Sequence, residues 1–336
     1  MQNWFASPTH LDLSTLSRLA HADPCAYFYC PEYLYKAAEA GELDCLNLAA
    51  EVCAQKGYRP VLLNDPREWV DDLLATEKHL HILVKDEPRQ PAKNVFYCVP
   101  SYLNGYWYFD TQGVRNNSST RDAEFDAGAI DDARAAKFHG NLRAHFIDLN
   151  LSKFEQADMD ARPLPDNAIF IAAQKFLPIV YCPYYIDYPA LIAATIAARG
   201  DRPVVIKPHP MQKPAELDVI NAFHDPENGV HVTDASIHAI LPKSDVVVTQ
   251  SSAVAFEALI HEVPSVLAGP ADFHHLLETI SDVSELNDAM KRAVNSTPPY
   301  SAYLFWFLRE RMIKPAQENS ALNRIKRVFR MAQRSA

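Results

Sequence analysis

Two short apolar runs, about forty residues apart, constrain this chain more than anything else in it. The first is Val204-Val205-Ile206, followed at once by Lys207-Pro208-His209-Pro210. The second is Val246-Val247-Val248, followed by Thr249-Gln250-Ser251-Ser252 and then by Ala253 to Leu259. An unbroken β-branched run without polar alternation reads as a strand buried on both faces, as in a parallel sheet. The carboxyl ends of such strands line the ligand crevice of open α/β sheets. The polar residues that end each run are therefore the first candidates for chemistry.

The rest of the chain supplies the elements that such sheets need. Ala26–Cys30, Pro60–Leu63, His79–Val84 and Asn94–Val99 read as strands. A helical pattern runs from Glu32 to Gln55 and stops at Gly57, and a short helix covers Trp69–Leu74. Tyr102 to Ser119 reads as a β-hairpin turning at Thr111–Gly113, or as a substrate loop in which Asp110 stands beside aromatic rings. Asp126 to Asn150 is helical and polar. Phe154 to Asp166, with Pro163 and Pro165, reads as the interdomain linker. Alternation then restarts with a strand at Ala168–Ala173, ending at Gln174, and a helix at Tyr188–Arg199 for which Asp187 is a candidate N-cap. Short strands follow at Val230–Val232 and Ser265–Ala268. The expected organisation is two Rossmann-like domains, at 1–160 and 161–300, with C-terminal helices at 301–336 packing back on the first.

Composition excludes several function classes. A net charge of −10 argues against nucleic acid as a partner. Nine scattered glycines form neither G-x-G-x-x-G nor a P-loop, which disfavours dinucleotide enzymes and P-loop kinases. No apolar run is long enough to span a bilayer, and the first residues lack a signal-peptide pattern. Six cysteines lack a C-x-x-C pair, and Cys45 and Cys53 sit in an apolar helical pattern, as buried thiols of a reducing cytoplasm would. From Arg309 onward there are eight basic and two acidic residues around an amphipathic pattern. That segment reads as a packed closing helix, to which a peripheral attraction to an anionic inner-membrane surface is the functional addition.

The chemistry at the two strand ends suits a nucleotide. A helix starting after Ser251-Ser252 offers free N–H groups and a positive dipole end to a phosphate. The hydroxyls of Ser251 and Ser252 add donors, and Glu257, about one and a half turns further, can accept from ribose hydroxyls. Lys207 and His209 project from the other strand end, where they can neutralise a leaving phosphate. His238, His274 and His275 lack such a setting and read as structural or surface residues. Asp158-Met159-Asp160 has the form of a metal-binding D-x-D, but its polar, Pro-rich flanks favour a solvated linker.

These motifs carry a resemblance. Lys207-Pro208-His209-Pro210, the stretch Asp245 to Leu259, and Pro264 to Gly269 resemble the capsule polysaccharide biosynthesis family, which includes the retaining β-Kdo glycosyltransferases. Gly105 to Val114 also resembles that family's pattern of an acidic residue ahead of Gly-Val. The resemblance implies a GT-B-like α/β fold, with two Rossmann-like domains facing a central cleft. It implies CMP-β-Kdo as donor, transfer with retention, and a glycan or glycolipid acceptor in capsule or O-antigen synthesis. Lys207, His209, Gln250, Ser251, Ser252 and Glu257 would hold CMP. A single phosphate requires no metal, so no cofactor is expected. Retention by double displacement needs a carboxylate nucleophile and an acid/base, for which Asp187 and Asp110 are the candidates, with His209 at the leaving group. Family members commonly place a Gln and an Asp close together after the corresponding strand, whereas Gln174 and Asp187 here stand thirteen apart. Two other readings compete. One is a CDP-glycerol-type glycerophosphotransferase of teichoic-acid-like polymers, although Thr249-Gln250 stands where those enzymes commonly carry Asp-Tyr. The other is a non-catalytic nucleotide-sugar-binding subunit.

Overall fold

The computed structural model describes residues 3–5, 23–64, 77–86, 92–159, 163–176 and 183–334. The helix expected at Trp69–Leu74, and Asp160, Tyr181 and Cys182, lie outside the described residues. The chain divides into two compact units, Met1–Ala123 with Leu308–Ala336, and Glu124–Phe307. The sequence reading put that boundary at 160. The segment expected to be a linker, Phe154 to Asp166, falls within the second unit.

In the first unit, strands β1 (Cys25–Cys30), β2 (Arg59–Asn64), β3 (Leu80–Leu83) and β4 (Val95–Tyr97) form a parallel sheet in the order β2-β1-β3-β4. Ala26, Phe28, Leu62, Ile82 and Phe96 form one buried cluster with residues of the helices Asp44–Gln55 and Glu318–Arg334. The closing helix inserts Phe329, whose ring lies 4.4 Å from that of Phe96 and 5.4 Å from that of Phe109. Cys45 and Cys53 are buried, and burial pushes both thiols up.

Two local expectations are corrected here. The helical run from Glu32 is two helices, Glu32–Glu39 and Asp44–Gln55, because Gly41 takes φ of 74° between them. The hairpin turns at Ser101–Tyr106, where Gly105 has φ of 82°, and not at Thr111–Gly113. Residues 107–110 then return antiparallel to 97–100 through the bridges Pro100–Trp107 and Tyr97–Asp110.

The second unit holds the two opening motifs. Strands β5 (Ala168–Ala172), β6 (Val204–Lys207), β7 (Val230–Val232), β8 (Ser244–Thr249), β9 (Ser265–Leu267) and β10 (Glu278–Thr279) form a parallel sheet in the order β10-β9-β8-β5-β6-β7. Counted from β5, this is the 3-2-1-4-5-6 order of a Rossmann sheet, and its direction reverses between β5 and β8. Both faces are covered. Ile169, Ile171, Val204, Ile206, Val246 and Val248 pack into one core, and Ala168, Phe170, Val205 and Val247 into the other. Burying each such valine or isoleucine contributes about 1.5–3 kcal/mol, which explains why these strands show no polar alternation.

Candidate nucleotide-binding site

The carboxyl ends of β5 and β8 lie side by side at the point where the strand order reverses, and a hydrogen-bond network fixes them. Tyr188 Oη lies 3.0 Å from the Ala172 carbonyl, 3.1 Å from Gln174 Oε1 and 2.8 Å from Thr249 Oγ1. Gln174 Oε1 also accepts from the Ser251 N–H at 2.9 Å. Gln250 is buried, and its side chain donates to the Ile186 carbonyl at 2.7 Å, so it fastens the chain ahead of the helix Tyr188–Ala198. Gln174 and Tyr188 thus set the geometry of the Ser-Ser turn. In the sequence, Gln174 stands at a strand end and as one member of the family's Gln–Asp pattern, and Tyr188 at a helix start, with nothing to link the two.

Ser252 caps the helix Ala253–Ile260, its hydroxyl accepting from the Val254 N–H at 3.3 Å. A hydroxyl that accepts in this way retains its own proton for a ligand. Glu257 lies on this helix at 2% exposure. Its Oε1 accepts from Ser152 Oγ at 3.0 Å, while among the described residues its buried Oε2 has no hydrogen-bond partner. Burial pushes the Glu257 carboxyl up to about 8, against smaller opposing effects of the Ser152 hydrogen bond and the Lys153 charge. A buried carboxyl oxygen without a partner costs roughly 1–3 kcal/mol, and a ligand hydroxyl would remove that cost.

At the end of β6, His209 Nδ1 accepts from the Met211 N–H at 3.0 Å. The neutral ring therefore carries its proton on Nε2, as a donor. Burial, then the charges of Lys175 and Lys153, hold the imidazole below its ordinary range and keep it neutral. Its ring meets the edge of Phe154 at 5.0 Å. Lys207 Nζ donates to the carbonyls of Asp234 at 3.0 Å and Ala235 at 2.6 Å, tying β6 to the chain that follows β7. Lys207 and His209 line an open pocket of about 890 Å³ with Glu155, Gln156, Thr233 and Asp234. Its size is in the range of small-molecule sites.

The chain from Asn150 to Gln156, which runs into the segment read as a linker from Phe154, packs against these strand ends. Ser152 bonds Glu257, Phe154 meets His209, Gln156 Oε1 accepts from the Ile237 N–H at 3.0 Å, and Asn150 Oδ1 accepts from Ser236 Oγ at 2.6 Å. These bonds account for its place in the second unit. Pro163 and Pro165, four and six residues beyond Met159, are what favours a linker in the sequence. Asp158 is exposed, and among the described residues no group of three or more His, Cys, Asp or Glu side chains could hold a metal ion.

The two candidate carboxylates for catalysis belong to separate units. Asp187 is exposed and caps the helix Tyr188–Ala198, its Oδ1 accepting from the Ala190 N–H at 2.9 Å. Asp110, in the first unit, is buried. It accepts from the N–H groups of Gln112 at 2.8 Å, Gly113 at 3.3 Å and Ser119 at 3.2 Å, and from Ser119 Oγ at 2.5 Å. Arg311 in turn holds Ser119 through its carbonyl and hydroxyl. All of Asp110's neighbours donate, so this setting suits an acceptor that organises the 111–119 loop. His238 is buried against His261, with 2.9 Å between Nδ1 and Nε2.

No protein-family model and no curated protein matches the chain. Solved structures do match. The structure of Thermosulfurimonas dismutans KpsC, β-Kdo 2,7 transferase, aligns over 92% of this chain and 99% of its own, with 16% identity and a TM-score of 0.53. The chain has the fold of a β-Kdo transferase. The β-Kdo 2,4 transferase of T. dismutans KpsC aligns over 91% of this chain and 98% of its own, with 11% identity and a TM-score of 0.54. The GT-B-like fold class read from the motifs is thus matched along most of the chain. The two opening motifs occupy the carboxyl ends of β6 and β8, the strands on either side of β5 in the second unit.

Proposed function

We propose that the chain is a retaining glycosyltransferase that moves Kdo from CMP-β-Kdo to a sugar acceptor of a bacterial surface polysaccharide. The observation that carries this reading is Glu257, a buried carboxyl with one unpartnered oxygen, on the helix that begins at the β5/β8 switch point. A ribose hydroxyl satisfies that oxygen, while Ser251, Ser252 and the helix N-terminus receive the single phosphate. Neutral His209 donates from Nε2 to the phosphate as it leaves, and Lys207 holds the backbone that places it. The fold shared with β-Kdo transferases supports the donor assignment.

In the double displacement, the Asp187 carboxylate forms a bond to the anomeric carbon as the bond to CMP breaks, and the acceptor hydroxyl then displaces Asp187. Asp187 is the better placed of the two carboxylates for attack, since it is exposed and its cap bond is made through Oδ1. Asp110 is assigned to the acceptor side, as acid/base or as the anchor of the loop that positions the acceptor. Intact-protein mass spectrometry after mixing with CMP-Kdo tests this. The expected product is an adduct of one Kdo residue that maps to Asp187. Turnover of CDP-glycerol with CMP-Kdo left untouched would overturn the donor.

A further inference from the structure

We propose that His238 is a positioning residue of the nucleotide site, fixing the peptide from which Ser152 orients the Glu257 carboxyl; this role rests on the nucleotide reading above. His238 is buried on the short helix Ile237–Ile240, which with its cap Ser236 holds the chain at 150–156. Ser236 Oγ donates to Asn150 Oδ1 at 2.6 Å, the Ile237 N–H to Gln156 Oε1 at 3.0 Å, and His238 Nε2 to the Leu151 carbonyl at 2.8 Å. Between these attachments the chain sets Ser152 on Glu257 and Phe154 on His209. The Leu151 carbonyl lies in the planar peptide that leads into Ser152, so the His238 bond sets the direction from which Ser152 Oγ reaches Glu257 Oε1. The Ser152 bond in turn fixes the rotation of the carboxyl, and with it the placement of the buried Oε2, which has no partner among the described residues.

For neutral rings, one proton arrangement fits both nitrogens of His238. A carbonyl only accepts, so Nε2 carries the proton and Nδ1 is an acceptor. Nδ1 then accepts from His261 Nε2 at 2.9 Å. His261 is the C-cap residue of the helix Ala253–Ile260, which carries Glu257. The imidazole pair therefore ties that helix to the 150–156 chain, and Ser152 ties the two again at the carboxyl. Burial holds both rings below their ordinary range, and for His261 the charges of His238, Arg143 and His139 add to it. The neutral state that the two bonds require is thus the state present at pH 7.

Two substitutions separate the two bonds. His238→Gln keeps an amide N–H at the reach of Nε2, for the Leu151 carbonyl, whereas His238→Asn keeps an acceptor oxygen at the reach of Nδ1, for His261, and falls short of Leu151. The readout is the ratio of affinities for CMP and 2′,3′-dideoxy-CMP, from calorimetric titration of the full chain, because that ratio isolates the ribose hydroxyls from base and phosphate. Wild type should prefer CMP by about tenfold or more, the size of a hydrogen bond that satisfies a buried carboxyl. His238→Asn should bring the ratio to about two or less at unchanged dideoxy-CMP affinity, and His238→Gln should keep most of it. Ser152→Ala should lower the ratio by itself, and adding His238→Asn to it should lower it no further. An unchanged ratio in His238→Asn overturns the role and leaves the nucleotide reading standing. So does an equal loss of affinity for both ligands, which a histidine that only supports the fold would give. An unchanged ratio in Ser152→Ala overturns the role as well, whether or not His238→Asn folds. If wild type binds the two ligands equally, the ribose assignment of Glu257 falls and this role with it, and if it binds neither, the nucleotide reading itself is overturned.

Discussion

Replacing Glu257 by Gln should change how the stability of this protein depends on pH, and the structure gives the size of the effect. Glu257 is buried, and desolvation raises its carboxyl from 4.5 to about 8. Between those values the folded chain keeps the proton while the unfolded chain releases it. The folded state then binds more protons than the unfolded one, so stability falls as pH rises through this window. With about 1.4 kcal/mol per pKa unit, the loss between pH 5 and pH 8 is about 3–4 kcal/mol when no other group compensates. Gln has nearly the same shape and does not titrate. Glu257→Gln should therefore be close to wild type at pH 5 and more stable by roughly 2–4 kcal/mol at pH 8. Urea unfolding of both proteins at pH 5, 6.5 and 8 reads the difference directly. A gap that stays constant over this range, or widens toward acid, refutes the reasoning. Either result would mean that Glu257 is ionised in the folded protein and that its second oxygen has a partner.

Substitutions at two further positions test the roles of side chains in the second unit. Asp187→Asn keeps an N-cap acceptor for the Ala190 N–H, whereas Asp187→Ala should cost about 1 kcal/mol of stability. Both should lose Kdo transfer, and full activity of Asp187→Asn would remove Asp187 as the nucleophile. The His238–His261 pair should make the second unit acid-sensitive. Burial, followed by the charges of His238, Arg143 and His139, lowers His261 from 6.5 to about 3. The unfolded chain takes up a proton below about 6.5 that the folded pair resists, so stability is lost as pH falls from there toward 3. His261→Gln should flatten that acid limb in thermal melts between pH 4 and 7, and an unchanged limb would place its origin elsewhere.

The sheet of the second unit was legible because each of its central strands is buried on both faces. Val204-Val205-Ile206 and Val246-Val247-Val248 have no polar alternation to confuse the period, and each is cut off by residues with strong turn or capping preferences. The helix after Ser252 and the cap at Asp187 were legible for the same local reason. The break at Gly41 was not, since it rests on the left-handed φ of that glycine and the non-helical backbone of residues 40–43 around it. The hairpin was placed correctly as a reversal but with the wrong tip. Gly113 looked like the turn residue, yet the left-handed φ belongs to Gly105.

The site was legible only in the parts that lie on regular elements. Glu257 stood out because an acid among Ala255, Phe256, Ala258 and Leu259 is an anomaly, and the fold makes that anomaly a buried carboxyl. Ser152 and Phe154 gave no such signal. They lie on irregular chain in a polar stretch, and what they touch is 55 to 105 residues away in sequence: His209 from Phe154, and Glu257 from Ser152. Local patterns report propensity and periodicity, and a loop that works by meeting two distant elements has neither. The conspicuous acids Asp110 and Asp187 teach the converse. Each was marked by its neighbourhood, an aromatic run or a Pro-containing helix start, and each has a local backbone task there, one organising a loop and the other capping a helix. For Asp187 the cap and the proposed nucleophile are compatible, because the capping bond is made through Oδ1 of an exposed residue. For Asp110 the bonds involve both oxygens, so any part in proton transfer requires Ser119 or the 112–113 backbone to let go first. In the proposed double displacement, that difference favours Asp187 over Asp110 as the nucleophile.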